Sequence, residues 1–362
     1  MAANEPSRPS GRIESVDGAR GIAALLVLFL HASDYTAVPQ YFDYLPLGGA
    51  FGWGWAGVDF FFVLSGFIIA YSAAPLVGRR DGLRHYLVQR FTRVYPIYWV
   101  VTLAMLAGFV FLPVSRVGFE TEPGTLFTSF TLLPSGSQVI VPVAWTLVYE
   151  VLFYLVYALV VVRPAAGFTV LVAWQAATIG WNVLDLGHGA AADYLFTLRY
   201  INFGLGVAAG HFFLRRRVPV PGVLALGGTL LFVAAGFVTV WPPGASPDLR
   251  KIQLVLAVGS TLILLGLAEG ERSRAWRTPA ALAFLGAASY SIYLLHSPAQ
   301  LVLVKALRAF DATAALPPLV IFALLAAGGV ACGAVLHLTV ERPLLGWSRR
   351  LLRPRRTVPA IA

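Results

Sequence analysis

About ten stretches of roughly twenty apolar residues fill this chain, near 18–37, 54–74, 94–113, 139–162, 165–185, 194–213, 221–241, 251–269, 281–305 and 316–341. Each is long enough, at ~1.5 Å per helical residue, to cross a ~30 Å hydrocarbon core. No soluble domain of 362 residues buries so much: 58% of the chain is hydrophobic, 12% is charged, and mean hydropathy is +0.75. The pattern predicts an all-α polytopic membrane protein, about ten transmembrane helices in one bundle over 18–343, between a cytoplasmic segment 1–17 and a basic tail 344–362. Monomer and homo-oligomer satisfy it equally.

The net charge of +10 does not point to nucleic acid, because the arginines sit in short clusters between apolar runs. With the N-terminus inside, the inner segments hold 20 Lys and Arg and the outer ones 6, Arg20 aside, so both termini are expected in the cytoplasm. The first apolar run lacks a small-residue cleavage site and reads as a retained helix. A single cysteine, Cys332, allows no intrachain disulfide and no thiolate metal site. Val38 to Gly52 and Pro113 to Gln138 read as outer loops, rich in Pro and Gly, and RRLLRPRRT as a tail anchored on anionic lipid.

Five stretches carry more polarity than a bundle in lipid needs. In DGARGIAALLVLFLHASD, Arg20 and His31 share a face about 16 Å apart, and Asp34 follows one turn outward, placed to hold the imidazole tautomer. An ionisable group inside hydrocarbon costs at least ~2.5 kcal/mol, which makes both functional candidates, although a snorkelling arginine and an interhelical histidine also fit. In GVDFFFVLSGFII, Asp59 and Ser65 interrupt the run, and Ser65 with Gly66 also suits close packing. In RHYLVQRFTRVYPIYW, Arg90 and Arg93 lie three apart at an expected helix start, spaced to grip a diphosphate or simply to anchor the cytoplasmic edge. In AWTLVYEVLFYLVY, Thr146, Glu150, Tyr154 and Tyr157 form one polar stripe, with Glu150 near the depth of His31. In GAASYSIYLLHSP, Ser289, Tyr293 and His296 again share a face. Glu341, Arg342 and Pro343 read as a closing ion pair and helix stop.

These stretches, in this order, resemble the acyltransferase 3 family of membrane O-acyltransferases, which modify surface polysaccharides and macrolides. The resemblance spans Asp17 to Pro343: DGARGIAALLVLFLHA carries the opening arginine and histidine, GVDFFFVLSGF the second-helix signature, and RFTRVYP the paired arginines. WTLVYEVLFY carries the buried glutamate, and SYSIYLLHSP and VERP the late motifs. It implies an inner-membrane enzyme of a bacterial cell that takes an acyl group, acetyl by default, from cytoplasmic acyl-CoA to a hydroxyl of a glycan or glycoside. His31 is then expected as general base, Arg20 and Glu150 as its partners in catalysis, and Arg90 and Arg93 as donor ligands. Asp34, Ser65, Tyr154, Tyr293 and His296 are expected in support. The runner-up is a proton-coupled transporter or flippase, which would also carry mid-membrane His, Glu and Arg but would not need paired arginines at one mouth.

Overall fold

Proline marks where helices begin: Pro164, Pro221 and Pro318 each sit in a first turn, where the missing N–H leaves no bond unmade. The computed structural model describes residues 12–111, 118–186, 189–242, 247–310 and 316–351. The expected N-terminal segment as far as residue 11, Arg116 and the tail beyond Leu351 lie outside them. The described residues form thirteen α-helices and no strand. These are α1 Glu14–Ala37, α2 Ala56–Ala73, α3 Gly82–Phe111, α4 Pro123–Thr131, α5 Trp145–Val162, α6 Pro164–Val183 and α7 Ala190–Leu195. They continue as α8 Arg199–Arg215, α9 Pro221–Phe237, α10 Leu249–Arg272, α11 Ala280–Ala309, α12 Pro318–Leu336 and α13 Arg342–Leu351.

Among the described residues, seven helices are long and apolar enough to cross a membrane: α1, α2 with its flanking turns, α3, α5, α10, α11, and α12 with its continuation. The chain is a multi-pass membrane protein. The other three expected spans are helical but fall short of that test. Helices α8 and α9 have 17 residues each, and α6 carries Gln175 and Asn182.

Two boundaries depart from expectation. The third span begins at Gly82 rather than 94, because α3 continues through Pro96. In lipid an interrupted backbone must find partners inside the protein, and a helix with a proline in it leaves fewer groups unpaired than a broken one. Tyr290 of α11 also ties to this part of α3, donating to the Val94 carbonyl at 2.8 Å. The stretch expected to be an outer loop is not all loop over its described residues 118–138. It folds into α4, held to α3 by Tyr95 donating to the Thr131 carbonyl at 2.6 Å and the Trp99 indole to the Phe130 carbonyl at 3.0 Å.

Close backbone contact sets the frame of the bundle. Helices α2 and α8 cross where a Cβ on Gly206 would fall 1.9 Å from the Val63 carbonyl oxygen, and one on Gly66 would fall 2.1 Å from that of Phe203. Only glycine lets two helices approach so far, and in lipid that contact replaces hydrophobic drive. Beside this crossing, Phe153 and Phe203 stack in the core with centroids 4.4 Å apart, and Phe62 packs tilted against Phe203.

Candidate active site

Arg20 projects from α1 toward α11. Its Nε donates to the Ser289 hydroxyl at 2.8 Å, and Nη2 donates to the Gly286 carbonyl at 2.7 Å and lies 3.2 Å from Asp17. Asp17 also accepts from Arg12. The remaining nitrogen, Nη1, is buried with no protein partner among the described residues. An orphaned guanidinium N–H is costly unless something from outside the chain accepts from it.

Arg20 faces a cavity with about 70 Å³ of room for water, lined also by Ser65, Arg93, Thr146, Glu150 and Tyr293. A larger apolar trough of about 500 Å³ runs between α6 and α8, but it contains none of these residues and one cation, Arg215, at its end. The chemistry, not the size, picks the first. Within it Glu150 is held by two donors on one oxygen: Ser65 at 2.7 Å from α2, and Tyr154 at 2.5 Å from the next turn of α5. Its second oxygen has no protein partner among the described residues. Ser65 therefore does more than permit packing; that is the role of its neighbour Gly66.

The two arginines of RFTRVYP part company. Arg93 lines the cavity and is exposed there, within electrostatic reach of Asp17, Glu150 and Glu341. Arg90 is buried at 6% exposure, bonded to the Ser72 hydroxyl, with its guanidinium 5.6 and 5.5 Å from the ring centroids of Tyr86 and Tyr154. The pair therefore does not mark a helix start, and the two guanidiniums face different surroundings. Both lie inside a 30-residue helix, and Arg90 is turned to Ser72 and two tyrosine rings, with its Nε left without a partner among the described residues. Arg90→Lys is expected to lower stability by ~1–2 kcal/mol, since an ammonium cannot stack between two rings and bond the serine as well. Thermal unfolding of purified protein checks this, with donor affinity expected to stay as it is.

His31 sits outward of the cavity, half-buried. Its Nδ1 lies 2.8 Å from the Val27 carbonyl and 3.4 Å from Nε2 of His296, with ring centroids 5.0 Å apart. Asp34 makes no hydrogen bond to the imidazole: it is exposed one turn on, within electrostatic reach of His31 but not bonded to it. Tyr293 bridges the two regions. Its hydroxyl meets Thr146 at 3.0 Å, and its ring lies 5.9 Å from that of His296. The stripe read on α11 is therefore real, and each member meets a different partner: Ser289 with Arg20, Tyr293 with Thr146, His296 with His31.

Glu341 was expected to pair with Arg342. Instead the chain opens into a wider π-type turn over His337–Glu341, which swings Glu341 inward to accept from Ser291 at 2.7 Å and to meet His337 Nδ1 at 2.7 Å. Pro343 does not end the helix but sits at the start of α13. This buried carboxylate and Tyr290 of the cavity wall are the residues missed from sequence; a glutamate followed by Arg-Pro offers no sign of turning inward.

A family model described as an acyltransferase domain matches residues 13–338, which takes in every residue of this site except Glu341. The chain belongs to the acyltransferase 3 family. It is an acyltransferase. Among curated members, it is 31% identical over 324 residues to the exopolysaccharide production protein ExoZ of Rhizobium meliloti (strain 1021), covering 84% of this chain and 94% of that protein. It is 28% identical over 322 residues to the acyltransferase MdmB of Streptomyces mycarofaciens, covering 79% and 78%, and 31% identical over 183 residues to protein 2 in the picA locus of Rhizobium radiobacter, covering 45% and 90%. No solved structure matches.

Proposed function

We propose that this family member moves an acyl group, acetyl by default, from cytoplasmic acyl-CoA to a hydroxyl of a glycan or glycoside. Its acceptor would be a surface polysaccharide or its lipid-linked precursor. It does so in the bacterial inner membrane, with α6, α8 and α9 completing ten crossings and both termini in the cytoplasm. The observation that carries this reading is the convergence of Arg20 and Arg93 on one cavity beside the Ser65–Glu150–Tyr154 group, with His31 just beyond. Arg20 meets α11 at Ser289 and His31 meets it at His296, seven residues and so about 10 Å further along the axis. The two cations would hold the donor's negative charge, and its thioester arm would span that distance.

The chemistry then needs little else. The acceptor hydroxyl gives its proton to Nε2 of His31, and its oxygen attacks the thioester carbonyl. The C–O bond forms and the C–S bond breaks, and His31 returns the proton to the departing thiolate. The free Nη1 of Arg20 would meet the negative charge that develops on the carbonyl oxygen or on the donor, and Glu150, through its unpaired oxygen, would orient acceptor hydroxyls. Direct transfer is favoured over an acyl-histidine, which would call for a second base. The printed name of ExoZ, a protein of exopolysaccharide production, supports a glycan acceptor.

Arg93→Leu tests the donor site. It is expected to raise the apparent KM for acetyl-CoA about tenfold or more, the loss of one charge-assisted contact of ~1.4 kcal/mol or above. An unchanged KM would remove Arg93 from the donor site.

A further inference from the structure

We infer that His31 and His296 act as a neutral histidine dyad, in which His296 is a positioning residue that accepts the Nδ1–H of His31 and so steadies the imidazolium formed during transfer. The inference rests on the proposed role of His31 as base.

Carbonyl oxygens, which can only accept, fix both tautomers. Nδ1 of His296 lies 2.7 Å from the Tyr293 carbonyl and 3.1 Å from that of Ile292, so that nitrogen carries the proton. Its Nε2 is then a bare lone pair, and the partner facing it is Nδ1 of His31 at 3.4 Å. Nδ1 of His31 must itself carry a proton, because the Val27 carbonyl is 2.8 Å away. One N–H of His31 is thus shared between a backbone oxygen and His296, and Nε2 of His31 is left with its lone pair and no protein partner among the described residues. That is the tautomer a general base needs.

The pair is built into the frame. His296 is fully buried, and α12 backs it so closely that a Cβ on Gly329 would lie 3.4 Å from its own. Gln300, one turn along α11, donates to the Leu28 carbonyl at 3.1 Å and ties the two helices beside the pair. Ionisable groups beside the dyad are Asp34 on α1, which is exposed, Tyr35 on α1, whose hydroxyl lies 3.2 Å from that of Ser297, and Tyr293 on α11. A carboxylate in the place of His296 would have to be buried as an ion before any proton arrived, at a cost of several kcal/mol. A neutral imidazole avoids that and supplies an acceptor when His31 becomes charged. No proton needs to pass to His296: the acceptor's proton enters at Nε2 of His31 and leaves from Nε2 to the thiolate.

The test uses the full chain in nanodiscs, radiolabelled acetyl-CoA, a crude cell-surface glycan fraction as acceptor, and donor binding measured in parallel. His296→Leu is expected to lower kcat about 100-fold, short of the ~10⁴-fold known for loss of a charged orienting partner. The donor KM should change less than about twofold. His296→Gln, which can offer an amide oxygen where Nε2 was, should recover to within about tenfold of wild type. The double variant His31→Gln with His296→Leu should be no worse than His31→Gln alone, as groups acting as one unit behave. Near-normal turnover by His296→Leu beside an inactive His31→Gln would overturn the dyad and leave the base standing; near-normal turnover by His31→Gln would overturn both. A further loss in the double variant would show His296 acting elsewhere. Should His296→Leu not fold, nitrogen NMR on ¹⁵N-histidine wild type decides: both residues are expected as Nδ1–H tautomers near neutral pH, and an Nε2–H tautomer at either overturns the dyad.

Discussion

His31→Gln is expected to insert, fold and bind acetyl-CoA like wild type, and to transfer acyl groups about 10²–10⁴-fold more slowly, the range that a positioned general base contributes. Folding should survive because Nε2 of His31 holds nothing in the protein, and its Nδ1 bonds lie within its own helix and to one neighbour. Donor binding should survive because Arg20 and Arg93 face the cavity and His31 does not line it. The separation of binding from turnover is the diagnostic feature: a histidine that merely packed α1 against α11 would lower yield and thermal stability with a much smaller effect on kcat. Single-turnover transfer beside equilibrium donor binding reads both.

Gly206→Leu is expected to leave little assembled protein. At that position the nearest neighbour of a new Cβ is a backbone carbonyl oxygen 1.9 Å away, on a helix that itself brings Gly66 within 2.1 Å of a carbonyl of α8. A flexible side chain could move aside; two helical backbones cannot without separating. Overpacking commonly costs ~1–3 kcal/mol, and this site lies at or beyond the upper end because the whole crossing must open. Separation would also carry Ser65, one residue from Gly66, away from Glu150, so residual protein should transfer poorly. Gly227, whose Cβ would meet nothing within 4 Å, is the control: Gly227→Ala should change the melting temperature little. Size-exclusion profiles and thermal unfolding in detergent distinguish the two variants.

What the sequence made legible follows from what lipid forces on a chain. Continuous apolar runs of this length have to be helices, since a single span can satisfy its own backbone in hydrocarbon only that way, and a 3.6-residue repeat then places Ser289, Tyr293 and His296 on one face without further information. Partners across helices are not encoded that way. Glu150 was readable as a buried carboxylate, but not that Ser65 and Tyr154 share one of its oxygens. Arg90 and Arg93 look alike in sequence, and only the fold shows that one packs against the rings of Tyr86 and Tyr154 while the other lines the cavity. Pro96 hid the true start of α3, because a proline that usually ends a helix is tolerated in a membrane span. Glu341 was hidden by a single widened turn, which shifts a side chain from the rim to the interior while leaving the hydropathy pattern intact.

The most direct measurement of the account is the fate of label from radiolabelled acetyl-CoA given to the purified protein in nanodiscs with a surface-glycan fraction. Ester-linked label is expected in the glycan with wild type, and labelling slowed by ~10²–10⁴-fold with His31→Gln. Label that stays on bound donor whichever glycan is offered, together with passage of unmodified glycan across a sealed vesicle, would contradict it and make the cavity a transport path.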